Sequence, residues 1–242
     1  MLSGLWRIDT AQKEIALIVG SGPGLSASLA RLFQKEGMEV ALAARDAKKL
    51  DGLVKEIDGR AYACDASRPQ DVESLFAAVS KELGEPNLVV YNASGRVRGP
   101  ITELEPEAVR NTIMVTCYGG FLVGQAAAKR MIKTGNGTIL FTGASASVKG
   151  YANSAAFAMG KLGLTGLVQS MARELQPQNI HVAQIVIDGG IVDPIRPDRL
   201  TARGPDGGLD PDAIAQTYLQ LHRQHRSAWA SHVELRPWSE KF

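Results

Sequence analysis

The run Ile15-Ala16-Leu17-Ile18-Val19 passes without a break into Gly20-Ser21-Gly22-Pro23-Gly24-Leu25-Ser26. A helical pattern begins at once with Ala27-Ser28-Leu29-Ala30-Arg31-Leu32-Phe33. Few folds accommodate this sequence of elements. A wholly apolar strand of this length belongs in a sheet covered on both faces. Glycines in the turn let the backbone come close to a ligand. The helix N-terminus adds unpaired N–H groups and the positive end of a dipole. Together these describe a phosphate-binding βα unit, with Gly20, Ser21, Gly22, Gly24 and Leu25 as the candidate contacts.

The alternation continues along the chain. Runs at Ile15–Val19, Met38–Ala43, Arg60–Cys64, Leu88–Tyr91, Thr138–Phe141, His181–Ile187 and Val233–Leu235 read as strands. Helical patterns separate them at Ser26–Glu36, Lys48–Ile57, Gln70–Leu83, Glu107–Ile132, Ser154–Leu175 and Pro211–Arg223. Such alternation requires right-handed crossovers. It gives an α/β fold, a Rossmann-like, doubly wound parallel sheet with helices on both faces. With 242 residues, no repeat and no linker, a single domain over residues 1–242 is expected. Ser67 is expected to cap the third helix, and Asp210-Pro211 supplies a cap and first-turn proline for the last. The stretch from Asp193 to Asp210, rich in proline (Pro194, Pro197, Pro205) and glycine, lacks periodicity. A loop this long is either a lid or a surface insertion.

The bulk properties exclude several classes. A net charge of +2 gives no field suited to nucleic acid, and Arg223, His225 and Arg226 read as a solvated helix end. Met1 to Thr10 lacks the basic start and apolar run of a signal peptide, and no apolar run approaches membrane-spanning length. Cys64 and Cys117 lie in different segments, so no disulfide framework follows and a cytoplasmic home is expected. His222 and His225 lack a carboxylate or thiol partner nearby in sequence, so no metal site is expected.

Four further motifs follow strands. Strand two ends in Arg45-Asp46, strand three runs into Cys64-Asp65-Ala66-Ser67, strand four into Asn92-Ala93-Ser94-Gly95, and strand six into Asp188-Gly189-Gly190. With Gly20 and Gly24 they resemble the motifs of the short-chain dehydrogenase/reductase family over nearly the whole chain. The resemblance implies a nicotinamide dinucleotide as cofactor. It places Asp65 at the adenine amino group, Asn92 and Ala93 beside the cofactor ribose, and Gly189 at the glycine after strand six. Asn92 is equally readable as a brace of the sheet centre. Ser26 stands where the family has a third glycine. An arginine near the adenosine ribose pairs with a 2′-phosphate, whereas a carboxylate there favours the free diol. Arg45 therefore favours NADP(H) over NAD(H), with Asp46 as the counter-argument.

The family's chemistry rests on an asparagine, a serine, a tyrosine and a lysine. Lys161 matches the lysine, and implies ribose binding unless it is a leftover surface residue. Phe157 takes the tyrosine position, Thr116 the asparagine position and Ala144 the serine position. Ser145, one place on, is a candidate if the loop shifts register. A phenylalanine cannot move a proton, so another donor is needed. Tyr151 and Asp188 are the candidates, although Tyr151 is also readable as an aromatic packed on its loop. The resemblance thus implies an oxidoreductase acting on a small carbonyl, alcohol or enone. The alternative is a dinucleotide-binding sensor or partner protein without turnover. Neither nucleic acid nor membrane is an expected partner. The small residues Ala155, Ala156, Ala158, Gly160, Gly163 and Gly166 permit close helix approach, and the family assembles through this helix. A homo-oligomer, dimer or tetramer, is expected. Trp229, Trp238 and Phe242 are expected to line a pocket or an interface.

Overall fold

The computed structural model describes residues 13–193 and 195–240. Met1 to Thr10, Pro194 and Phe242 lie outside the described residues. Seven parallel strands form one sheet: β1 (Ile15–Val19), β2 (Glu39–Ala44), β3 (Arg60–Ala63), β4 (Leu88–Tyr91), β5 (Gly137–Thr142), β6 (Ile180–Ile187) and β7 (His232–Leu235). Their spatial order is β3-β2-β1-β4-β5-β6-β7. The order reverses between β1 and β4, where Val19 pairs with Tyr91. At such a switch point the crossovers depart in opposite directions and leave a crevice beyond the strand ends.

The helices are α1 (Leu25–Lys35), α2 (Asp51–Ile57), α3 (Pro69–Glu82), α4 (Pro106–Ile113), α5 (Gly119–Thr134), α6 (Ala155–Leu175) and α7 (Pro211–His222). They cover both sheet faces. One core holds Leu17, Tyr91, Phe141 and Leu164; the other holds Ile18, Leu29, Phe33 and Tyr218. These apolar strands are solvent-free on both faces, as a parallel sheet between helical layers requires. No described helix is long and apolar enough to cross a membrane.

The helix expected over Glu107–Ile132 is two helices. Between α4 and α5, residues Met114–Tyr118 form a π-turn. Polar groups explain it. The Thr116 hydroxyl accepts the Gly95 N–H at 2.9 Å, and the Tyr91 hydroxyl donates to the Val115 carbonyl. Both bonds use groups that a regular helix would turn elsewhere, and π-turns of this kind recur at functional sites. Thr116 is thereby fully buried as a brace between this helix and the loop after β4.

One further expectation is corrected. Ser67 does not cap α3; Arg68 is the cap residue, and the Ser67 hydroxyl donates instead to Asp65 at 2.6 Å. Two of the small residues of α6, Gly160 and Gly163, serve packing within the chain, while Gly166 faces open space. A Cβ on Gly160 would stand 2.8 Å from Thr116 and one on Gly163 2.9 Å from Cys117 Sγ, so both glycines let α6 close on the π-turn. Asp210 does cap α7, accepting the Asp212 N–H at 2.8 Å, with Pro211 in the first turn. Between Asp193 and Asp210 the chain makes a 3-10 helix, Pro197–Arg203. It is tied at its base by the Ile191–Leu209 bridge and by Leu200 against Gly190. Trp229 stacks on His181 at 4.8 Å, whereas Trp238 is exposed.

Candidate active site

The glycine turn sits in the crevice at the switch point. Gly20 has φ 90°, and a Cβ there would collide with the backbone of Ala93. Its N–H and that of Ser21 both donate to the Ala43 carbonyl at 2.9 Å, and the Ser21 hydroxyl donates to Ile18. Ser26, where the resemblance wants a glycine, is buried and useful. Its hydroxyl donates to the Gly20 carbonyl at 3.1 Å and accepts the Asn92 amide at 2.8 Å. Asn92 is thus tied to the glycine turn from across the switch point.

Gly22 and Gly24 differ from Gly20. A Cβ on either meets no atom within 4 Å, so the space above them is open. Gly24 opens α1 with no side-chain cap, leaving the first N–H groups free. The fit to a pyrophosphate is good: open approach, free donors and a helix dipole.

From this turn a cavity of about 570 Å³ runs toward β2 and β3, lined by Ser21, Arg45, Asp46, Asp65, Asn92 and Ala93. It falls within the size range of small-molecule sites. Lys49 approaches the Asp46 carboxylate at 3.6 Å. Asp65 accepts the Ser67 N–H at 3.0 Å as well as its hydroxyl. The Ser67 hydrogen bond is the main reason that the Asp65 carboxyl lies below the usual carboxylate range.

On the other side a cavity of about 310 Å³ is lined by Gly22, Gly24, Leu25, Asn92, Thr142, Ala144, Phe157 and Lys161, with Ile187 and Ile191 closing it. Lys161 comes from α6 and is 3% exposed. Its Nζ donates to the Thr142 carbonyl at 2.6 Å, at the end of β5. The Thr142 hydroxyl is fixed from behind by the Tyr218 hydroxyl at 2.8 Å. The ammonium stands 5.9 Å from the centroid of the Phe157 ring, and no carboxylate lines the cavity among the described residues. Burial without a counter-ion pulls the Lys161 pKa down to about 8. Over the same ring, 4.7 Å from its centroid, lies the Arg96 guanidinium.

Several expected residues are not brought to this cavity. Ala144 lines it and Ser145 does not, because the short 3-10 turn Ser145–Ser147 starts after Ala144. Tyr151 is 44% exposed beneath Lys149, on the surface of the loop before α6. Asp188 is engaged by Arg236 at 3.1 Å. Gly189 is absent from both linings, and its lack of a side chain serves packing, since a Cβ would stand 2.8 Å from Leu209 and Pro237. Conversely, Arg96, Thr142, Ile187 and Ile191 join the site without having been singled out. The apolar run at the end of β6 was the available signal for Ile187, and none marked Ile191, which follows Asp188-Gly189-Gly190.

A family model described as short chain dehydrogenase matches residues 14–196. The chain belongs to this family. A short-chain dehydrogenase from Rhodopseudomonas palustris has the same fold, with a TM-score of 0.82 and 34% identity over 94% of this chain and 100% of that one. A metagenomic short-chain oxidoreductase solved in complex with NADP gives a TM-score of 0.79 and 29% identity, covering 93% and 97%. Among relatives of assigned activity, carbonyl reductase family member 4 of Xenopus tropicalis is 25% identical over 86% of this chain and 90% of its own. Short-chain dehydrogenase chemistry uses a nicotinamide dinucleotide, and the open glycine turn described above suits one.

The buried ammonium has a consequence for stability. Unfolded, Lys161 keeps its proton to the ordinary lysine value near 10.5; folded, it releases it near 8. Between these values the unfolded chain binds more protons, so stability rises with pH across the window. Lys161→Met removes this term. Urea titrations from pH 7 to 10.5 are expected to show wild type gaining on the variant by on the order of 3 kcal/mol, from ~1.4 kcal/mol per pKa unit. A constant difference would mean that the ammonium is not desolvated in the folded chain.

Proposed function

We propose that the protein is an NADP(H)-linked oxidoreductase acting on a small carbonyl compound, alcohol or enone, and that Lys161 supplies the proton a tyrosine supplies elsewhere. One observation carries the reading: a desolvated ammonium stands beside Phe157, in the cavity that continues from the glycine turn. The bound nicotinamide cofactor supplies or accepts the hydride. Carbonyl reduction then needs one proton on oxygen. Lys161 passes from ammonium to amine as it gives that proton, and regains one from water. A proton donor works best when its pKa lies near the working pH, and burial has brought this lysine there. Thr142, held by Tyr218, orients the Nζ.

NADP(H) is the favoured cofactor. Arg45 lines the adenosine side of the crevice, and Asp46, the carboxylate that argues for NAD(H), has Lys49 beside it. Asp65, Asn92 and Ala93 are proposed cofactor contacts there, with Gly20, Ser21, Gly22, Gly24 and Leu25 around the pyrophosphate. Ser145, Tyr151 and Gly189 are given no part. No observation favours a sensor without turnover.

A positioned general acid contributes about 10²–10⁴ in rate, so turnover slower than in a tyrosine-bearing enzyme is expected. Purified protein with NADPH and NADH over a panel of ketones, aldehydes and enones tests this. NADPH is expected to bind at least tenfold more tightly, with substrate-dependent oxidation that Phe157→Tyr raises. No binding of either nucleotide below millimolar concentration would sink the reading, and binding without turnover in both proteins would revive the sensor.

A homo-oligomer is also proposed, in the cytoplasm, where the free thiols of Cys64 and Cys117 remain reduced. Met159 and Leu162 on α6 and Phe121 on α5 are apolar and exposed, a surface suited to a second copy. Light scattering is expected to give two or four times 25.9 kDa. A monomer at that mass would remove the claim.

A further inference from the structure

One arginine stands over a wall of the Lys161 cavity, and two more lie near enough to act on its charge. Arg96 lies over the face of the Phe157 ring, 4.7 Å from its centroid. Arg98 follows two residues later in the same loop after β4. Arg199 comes from the 3-10 helix Pro197–Arg203, which Leu200 clamps against Gly190, next to the cavity-lining Ile191. Burial first, and then the nearby charges of Arg98 and Arg199, lower the Arg96 pKa, as expected for cations gathered without counter-ions. Neighbouring arginines are different: Arg196 is paired with Asp193 at 2.9 Å and Arg203 with Glu240 at 2.5 Å. Among the described residues Arg96, Arg98 and Arg199 reach no carboxylate within ion-pair distance. The Phe157 ring thus has one cation, Lys161, 5.9 Å from its centroid in the cavity and another, Arg96, 4.7 Å from it.

Like charges held together without acids raise the local concentration of anions and leave unused planar donors for them. We infer that the substrate carries an anionic group, a carboxylate or a phosphate, close to its reacting carbon, and that Arg96, with Arg98 and Arg199, holds that group at the lip of the cavity. The inference rests on the oxidoreductase reading for the word substrate, but the anion site itself does not. Phe157 has a role in this arrangement. Its ring face holds Arg96 beside the cavity that the same ring lines.

The test pairs probes that differ only in charge. Ethyl acetoacetate is compared with acetoacetate, and dihydroxyacetone with its phosphate, using the full chain and NADPH. Malonate and inorganic phosphate, which cannot be reduced, are titrated calorimetrically against the protein with NADP⁺. The charged member of at least one pair is expected to be favoured tenfold or more in kcat/KM. Arg96→Gln and Arg199→Gln are each expected to cut that preference about tenfold, through KM with kcat little changed. The carboxylate and phosphate arms identify which anion is held. Binding of malonate or phosphate that Arg96→Gln weakens fivefold, without turnover of any probe, would uphold the anion site and discard the oxidoreductase reading. Equal use of charged and neutral probes, or neither anion binding wild type better than Arg96→Gln, would overturn the inference.

Discussion

Everything at this site depends on how closely two loops meet where the sheet changes direction. Gly20 ends β1 with φ 90° and has no side chain, and the backbone of Ala93, just beyond β4, occupies the place a Cβ would take. Because the loops touch there, the crevice is narrow behind and open in front, above Gly22 and Gly24. The contact also puts Asn92 within reach of Ser26, so a hydrogen bond joins the loop after β4 to the start of α1. The two cavities share the glycine turn and Asn92, and open on either side of it.

The chemistry follows from what that frame holds and what it lacks. Position 157 carries a phenylalanine, which moves no proton, and the lysine four residues on is buried deeply, with one carbonyl as its partner. A buried ammonium without a counter-ion gives up its proton more readily than an exposed one. On the reading proposed above, this ammonium is the cavity's proton donor. The inferred anion preference belongs to the same reading, since Arg96 over the Phe157 ring and a lining without a carboxylate suit a substrate that brings a negative charge.

Much of the frame was legible in the sequence. The apolar β1 run, its glycine turn and the strand–helix alternation fix the sheet, because a parallel strand covered on both faces has few sequence disguises. Asp210-Pro211 announced its helix start because the cap is local. What was hidden depends on contacts distant in sequence. The π-turn at Thr116 exists because Gly95 and Tyr91 meet that helix, and no periodicity in residues 107–132 records it. Whether the loop shifts register to bring in Ser145 was also hidden; Ala144, the position given by spacing, lines the cavity and Ser145 begins the 3-10 turn after it. Gly189 looked like a cofactor contact and is small for Leu209 and Pro237. Arg96 was invisible because its partner, a phenylalanine ring 61 residues further along, is not one that charge patterning reveals.

The central claim is that Lys161 moves the proton. The direct measurement is the pH dependence of single-turnover NADPH oxidation with a saturating carbonyl substrate, in wild type and Lys161→Met. Wild-type reduction is expected to fall as pH rises through about 8, where the buried ammonium loses its proton, and the slower variant to show no such bend. A wild-type profile that stays flat to pH 10, or one with the same bend in both proteins, would contradict the account.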